Sequence, residues 1–323
     1  METTTATFFD LVRPQLSQVE ARMRISPDEH DPRLIAAIDH LLSSGGKRIR
    51  PTLVLLTGGM LGTDPDHTIT LAASVEMLHT ATLVHDDLID GSMMRRGMPT
   101  LNAQWSPGAT VLTGDYIFAR AAHLAAAIGE KALMEIFART LMTIVNGEIS
   151  QLFGSTTSDL NRDYFNRIYA KTASLFEVAT EGVAILGACD KETLTKIKAF
   201  GYNIGIAFQI IDDVLDFTSD QESLGKPVAN DLRQGLITLP TLRYLSSIPN
   251  SGAVVEALKN HSLTDDALEE LIETIRTSGA IEQTLEQARG YVSSAEALLE
   301  KMPANQEREA LYELSSYIIN RTI

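Results

Sequence analysis

Residues 67–90 read HTITLAASVEMLHTATLVHDDLID. Asp64, Pro65 and Asp66 stand just before it. An acidic cap followed by proline is a helix start signal. The run is apolar or small on almost every face of a 3.6-residue helix, which predicts a long, central, buried helix. This stretch decides the fold, because a helix that is apolar all round must be enclosed by other elements. Its end breaks the pattern. Asp86, Asp87 and Asp90 sit among Leu83, Val84, Leu88 and Ile89, where burying an unpaired charge is expensive.

Outward from this stretch the chain reads as helix after helix. Phe8, Leu11, Val12, Leu16, Val19 and Met23 recur at spacings of three and four, as do Leu34, Ile35, Ile38, Leu41 and Leu42. Further helices are predicted near 110–128, 131–153, 163–187, 191–217, 240–247, 265–278, 280–301 and 304–319. Alternation of period two between hairpin turns is not evident. No fixed-length repeat and no Pro/Gly/Ser-rich linker divides the chain, so residues 1–323 read as a single all-α domain.

Composition narrows the function. Hydrophobic residues are 44% and charged residues 21%, the balance of a globular chain. The formal net charge of −15 argues against a nucleic-acid binder, which carries a basic footprint. With Cys189 as the one cysteine there is no disulfide framework and no cysteine-based zinc site. The N-terminal stretch lacks the basic start and apolar core of a signal peptide. No apolar run reaches the roughly 18–20 residues of a transmembrane segment. A soluble, cytoplasmic protein is expected.

The aspartates at 86–90 have a counterpart. Residues 209–216 read QIIDDVLD, with Asp212, Asp213 and Asp216 again among aliphatic neighbours. Both triplets are spaced i, i+1, i+4, so the first and last lie on one helix face. One such triplet could be a solvated face. Two, each set in apolar surroundings, point to cations that offset the charge. Mg²⁺ takes one or two carboxylates and completes its shell with waters and substrate phosphates. Two such helices facing each other would form a bowl for a diphosphate.

Basic residues supply a second kind of anion holder. Arg95 and Arg96 follow the first triplet beyond a glycine, and residues 45–51 read GGKRIRP. Lys171-Thr172 lies in a helical stretch, and Lys226 follows the second triplet. A lone lysine is usually a surface group. Together these residues suit phosphate, with arginine offering a bidentate fork. His79 lies seven residues before Asp86, at nearly the same helical azimuth. It is either a satisfied core histidine or a donor to a phosphate.

GGKRIRP, DDLID followed by MMRRG, KT at 171–172, QIIDDVLD and the following GK resemble the trans-isoprenyl diphosphate synthases, in the same order from about Gly45 to Pro240. The resemblance implies an all-α bundle of antiparallel helices around a central cavity, the isoprenoid synthase fold. It implies Mg²⁺ dependence, with about three ions per active site once diphosphate is bound. The implied reaction condenses isopentenyl diphosphate head-to-tail onto an allylic diphosphate. By the resemblance Asp86, Asp87, Asp90 and Asp212 bind Mg²⁺, with Asp213 and Asp216 in support. Arg95, Lys171, Gln209 and Lys226 hold the allylic diphosphate. Lys47, Arg50, His79 and Arg96 hold isopentenyl diphosphate, and Thr172 and Gln209 flank the reacting centre. Many members carry a lysine shortly before a TLP motif, where this chain has Leu236. Gly114-Asp115 and Gly147-Glu148 read as capping or packing groups. A homodimer is implied, and some relatives need a smaller partner subunit.

In the family the fifth and fourth residues before the first aspartate set product length, and aromatics there stop growth early. Here they are Ala81 and Thr82, with Leu78 deeper. From His67 to Asp86 the helix spans about 28 Å, against ~4–5 Å per isoprene unit. A product of about six units (C30) or more is expected, of the kind used in quinone side chains. A short-chain farnesyl or geranylgeranyl diphosphate synthase is the nearer rival. A class I terpene cyclase is disfavoured by the second full triplet and by GGKRIRP.

Overall fold

A computed structural model describes residues 7–28, 30–154, 159–218, 228–249 and 251–321. The regular structure of the described chain is helical, save for two paired strands of two residues each. In order the elements are α1 (Thr7–Met23), α2 (Pro32–Ser43), α3 (Ile49–Leu61), α4 (Pro65–Ile89), β1 (Met94–Arg95), β2 (Met98–Pro99), α5 (Leu101–Gln104), α6 (Pro107–Ala127), α7 (Lys131–Phe153) and α8 (Leu160–Ile168). After a π-helical turn at Tyr169–Ala173 come α9 (Ser174–Leu186), α10 (Lys191–Thr218), α11 (Asn230–Arg233), α12 (Leu239–Ser247), α13 (Ser251–Lys259), α14 (Asp265–Thr277), α15 (Ala280–Leu299) and α16 (Gln306–Asn320). Two expectations are corrected: a hairpin stands at 94–99, and the helix expected over 163–187 is interrupted by the π turn.

Contacts divide the chain into two units. The first takes the chain to Met142, then Leu175–Gly201 and Leu298–Leu314. The second takes Thr143–Ser174, Tyr202–Ala297 and the chain from Ser315 onward.

In the first unit α4 is the hub, packing on α6, α3 and α1. Asp64 caps it, its carboxylate accepting from Asp66 N at 2.9 Å and His67 N at 3.0 Å, with Pro65 in the first turn. The helix is buried continuously from Thr68 to Leu78. Beyond that only Ala81, Val84 and Asp87, three residues apart, stay buried. The change from all-round to one-sided burial marks where α4 leaves the core. Ala72, Ala73, Ala121 and Ala125 are fully buried, and Ser74 Oγ donates to Ala121 O at 2.8 Å between α4 and α6. Each fully buried leucine, such as Leu53, Leu71 or Leu78, adds roughly 1.5–3 kcal/mol.

In the second unit α8 packs against the π turn and against α12. Ile210, Ile211, Val214 and Phe217 of α10 are fully buried, as are Leu239 and Ile275. The aspartates of α10 therefore rise from a helix whose other faces are core.

Candidate active site

The first triplet does not present three equal carboxylates. Asp87 continues the buried stripe of Ala81 and Val84 and is 6% exposed, whereas Asp86 is half-buried and Asp90 exposed. A buried carboxylate needs a partner, and Arg95 supplies it. Its Nε donates to Asp87 Oδ1 and Oδ2 at 2.9 and 3.0 Å, and its Nη2 stands 2.8 Å from Oδ1. The hairpin brings it there. Gly91 turns the chain at φ +64°, and Arg96 and Gly97 form the two-residue loop at φ +51° and +75°. Positive φ at both central residues is the type I′ geometry that matches strand twist. Arg95 pairs with Met98 across the hairpin. The resemblance assigns Arg95 to the allylic diphosphate; in this structure its guanidinium rests on Asp87.

Neighbouring Arg96 goes elsewhere. It donates to Gly45 O and lies along Gly46, with Nη1 2.7 Å from where a Cβ would stand. The GGKRIRP segment is thus joined to the arginine pair. Within it Arg48 takes a left-handed backbone at the start of α3 and pairs with buried Glu76 at 2.8 Å. Arg50 is buried, its guanidinium 4.8 Å from the centre of the Phe176 ring. His79 is half-buried. Burial, together with Arg50, Arg96, Arg95 and Arg48, holds its imidazole well below the ordinary histidine range, hence neutral. The first unit therefore gathers Arg50, His79, Arg95 and Arg96 in one electropositive neighbourhood, with Lys47 exposed on the loop.

Gly114 has a packing reason. A Cβ there would overlap the His85 imidazole, which contacts the Phe118 ring and stands 3.6 Å from Asp115. The residue before Asp86 is seated on α6 through that gap.

In the second triplet the roles are also divided. Asp212, half-buried, meets Arg321 Nη2 at 2.7 Å, and that guanidinium stacks 4.5 Å from the Phe208 ring centre. Asp213 is 3% exposed and accepts from the Tyr164 hydroxyl at 2.6 Å and from Gln209 Nε2 at 2.9 Å. Burial pushes its carboxyl up to about 7 against those two hydrogen bonds. Asp216 accepts from the backbone N–H of Asn230 and Asp231, both at 3.1 Å, and so fixes the start of α11. Gln209 Oε1 accepts the Thr172 hydroxyl at 2.6 Å.

Lys171 and Thr172 both lie in the π turn, whose extra residue rotates them relative to a regular helix. Lys171 Nζ pairs with Glu148 at 3.1 Å. Gly147 permits it, since a Cβ there would overlap Ala170 Cβ. Lys226 lies outside the described residues. Spacing alone missed Tyr164 and Arg321, and Glu148, read as a capping or packing group, is the partner of Lys171. A tyrosine eight residues before Thr172 carries no periodic signal that marks it.

Among the described residues no three His, Cys, Asp or Glu side chains are gathered into a ready metal cage. The donors fit a hard cation, being carboxylates that substrate phosphates would supplement. Of the chain-length residues, Ala81 and Leu78 are fully buried. Thr82 is half-buried, its hydroxyl donating to His79 O at 2.7 Å. No described helix is long and apolar enough to cross a membrane.

The family model described as polyprenyl synthetase matches residues 31–275. A heptaprenyl diphosphate synthase component 2 of Bacillus subtilis is 36% identical over 97% of this chain and 90% of its own length. An octaprenyl diphosphate synthase of Escherichia coli is also 36% identical, over 87% of this chain and 88% of its own. Among solved structures, a polyprenyl synthase of Caulobacter crescentus complexed with calcium and isoprenyl diphosphate superposes with a TM-score of 0.88 at 36% identity, covering 100% of both chains. The GGKRIRP segment, both aspartate triplets and the KT turn all fall within the matched span, and the chain belongs to the polyprenyl synthetase family of prenyltransferases.

Proposed function

We propose that the chain condenses isopentenyl diphosphate head-to-tail onto an allylic diphosphate, with Mg²⁺, and extends it to a long all-trans polyprenyl diphosphate of about C30 or more. One observation carries the reading: each aspartate triplet, set on an otherwise buried helix, has a carboxylate matched by a guanidinium, Arg95 on Asp87 and Arg321 on Asp212. These are positions that call for a cation. The solved relative with calcium and isoprenyl diphosphate supports the same chemistry.

Asp86, Asp87, Asp90 and Asp212 hold the metal in this reading. Bound Mg²⁺ stabilises charge on the departing diphosphate. Arg95, Lys171, Gln209 and Lys226 bind the allylic diphosphate; Lys47, Arg50, Arg96 and His79 bind isopentenyl diphosphate. Neutral His79 contributes one N–H donor while the arginines contribute charge. Thr172 and Gln209 direct their oxygen dipoles at the carbon that becomes cationic. Aliphatic neighbours of both triplets exclude water, which would otherwise capture that cation. Small Ala81, with Thr82 and Leu78, leaves the growing chain a path along α4. Work in the cytoplasm, as a homodimer, on a quinone side chain completes the reading.

The test incubates the purified chain with labelled isopentenyl diphosphate, farnesyl diphosphate and Mg²⁺ and sizes the product. A ladder ending at about six units or more is expected; a product stopping at three or four units would overturn the long-chain assignment. Asp87→Ala should cut turnover by roughly 10²-fold or more with the helical content kept. The similarity to a heptaprenyl synthase component 2 favours a second reading, a catalytic subunit that needs a small partner. No turnover by the chain alone, restored by such a partner, would favour it.

A further inference from the structure

Four side chains of the second unit are joined end to end. The Tyr164 hydroxyl donates to Asp213 Oδ2 at 2.6 Å, Gln209 Nε2 donates to Asp213 Oδ1 at 2.9 Å, and the Thr172 hydroxyl donates to Gln209 Oε1 at 2.6 Å. Tyr164 is 1% exposed, Asp213 3% and Thr172 5%. The series has a direction. Because Asp213 takes the amide NH₂ of Gln209, the carbonyl end must face Thr172. Thr172 must then donate its proton, which leaves its oxygen lone pairs unused by that bond. Both oxygens of Asp213 accept from neutral donors, a phenol and an amide, whereas buried Asp87 faces a guanidinium, a cation where a metal's charge would stand. Asp212 and Asp216, by contrast, are half-buried.

We propose that Asp213 is a clamp rather than a metal ligand, and that Tyr164 is a positioning residue which, through Asp213, sets the orientation of Gln209 and Thr172. This deepens the proposed prenyl transfer and rests on it for the role of Gln209 and Thr172. Thr172 lies in a π turn, where hydrogen bonding along the helix is less regular. A fixed hydroxyl there needs an external partner, and among the described residues Tyr164 reaches it through Asp213 and Gln209. The Tyr164 ring is held independently, edge-on to Phe165 and under the Arg167 guanidinium at 5.6 Å. Removing its hydroxyl therefore leaves the ring seated.

Tyr164→Phe deletes the donor and keeps the ring. The expected result is a kcat reduced about 10–100-fold, as for other orienting partners, with KM for isopentenyl diphosphate essentially unchanged. Asp213→Leu removes both acceptors, so kcat falls at least as far. Combined with Tyr164→Phe it should lose no more than Asp213→Leu alone, since both act through one series. A second readout needs no turnover: thermal protection by Mg²⁺ with inorganic diphosphate, titrated in Mg²⁺. Asp213→Asn should keep the wild-type midpoint, whereas Asp212→Asn should move it to higher Mg²⁺. Wild-type kcat in Tyr164→Phe, or a midpoint shift in Asp213→Asn equal to that of Asp212→Asn, would overturn the clamp. A wild-type chain that binds Mg²⁺ and diphosphate yet condenses neither substrate would instead defeat the proposed function, and the Mg²⁺ titration would still judge the clamp.

Discussion

Asp87 and Asp213 occupy the same place in their triplets, and both are buried, yet their partners are of different kinds. Asp87 faces a guanidinium that keeps company with a charge; Asp213 faces a phenol and an amide. The second environment cannot fully offset desolvation, and the carboxyl rises to about 7 from its ordinary 3.8. The folded metal-free chain therefore holds a proton that the unfolded chain has released between those two values. Stability contributed by this group falls as pH rises through the window and levels off above about 7. Asp213→Asn cannot ionise. The wild-type melting temperature minus that of Asp213→Asn should accordingly decline from pH ~4 to ~7 and flatten beyond. A difference that rises or stays level over that range would refute the assignment. Spacing alone makes the two triplets look alike, because Arg95 reaches Asp87 only through a hairpin and Tyr164 lies 49 residues before Asp213.

At the scale of elements, the long helices and their order were legible from periodicity and caps, and so were both triplets. What escaped is short or tertiary. The hairpin at 94–99 has two-residue strands, too few to show alternation. The π turn at Tyr169–Ala173 has ordinary helical residues, and only its neighbours decide the extra residue. Gly147 is one such neighbour decision. In an isolated helix Gly→Ala stabilises by roughly 0.5–1 kcal/mol. Here the new Cβ meets Ala170 Cβ, which cannot swing aside, and overpacking costs about 1–3 kcal/mol. Gly147→Ala should therefore lower the melting temperature, and it should weaken turnover by moving Glu148 off Lys171. A more stable variant with normal turnover would mean that α7 and the π turn part without consequence. α4 carries the other element-scale expectation. Ala81 is fully buried three residues before Val84 and six before Asp87, on one stripe. Ala81→Phe should shorten the product while condensation continues; an unchanged ladder would show that another element sets the floor.

At the scale of the whole molecule, α7 carries an apolar stripe that the other described residues leave exposed. On α7, Met142, Val145, Ile149, Leu152 and Phe153 recur at helical spacing and are 73, 45, 51, 65 and 81% exposed. Val111 and Leu112 of α6 are also exposed. Single exposed apolar side chains are ordinary, but a continuous stripe on one helix is the mark of an association surface. In a homodimer that stripe would be buried at roughly 25 cal/mol per Å², whereas in a monomer it would stay in water beside a surface of net charge −15 that otherwise favours solubility. The acidic balance also opposes association, so a dimer held by this stripe should tighten as salt screens the repulsion. Sedimentation should find the wild-type chain dimeric and Ile149→Glu/Leu152→Glu monomeric with its helical content kept, because two buried unpaired carboxylates would outweigh the apolar gain. A wild-type monomer, or a variant that still dimerises, would move the interface off α7.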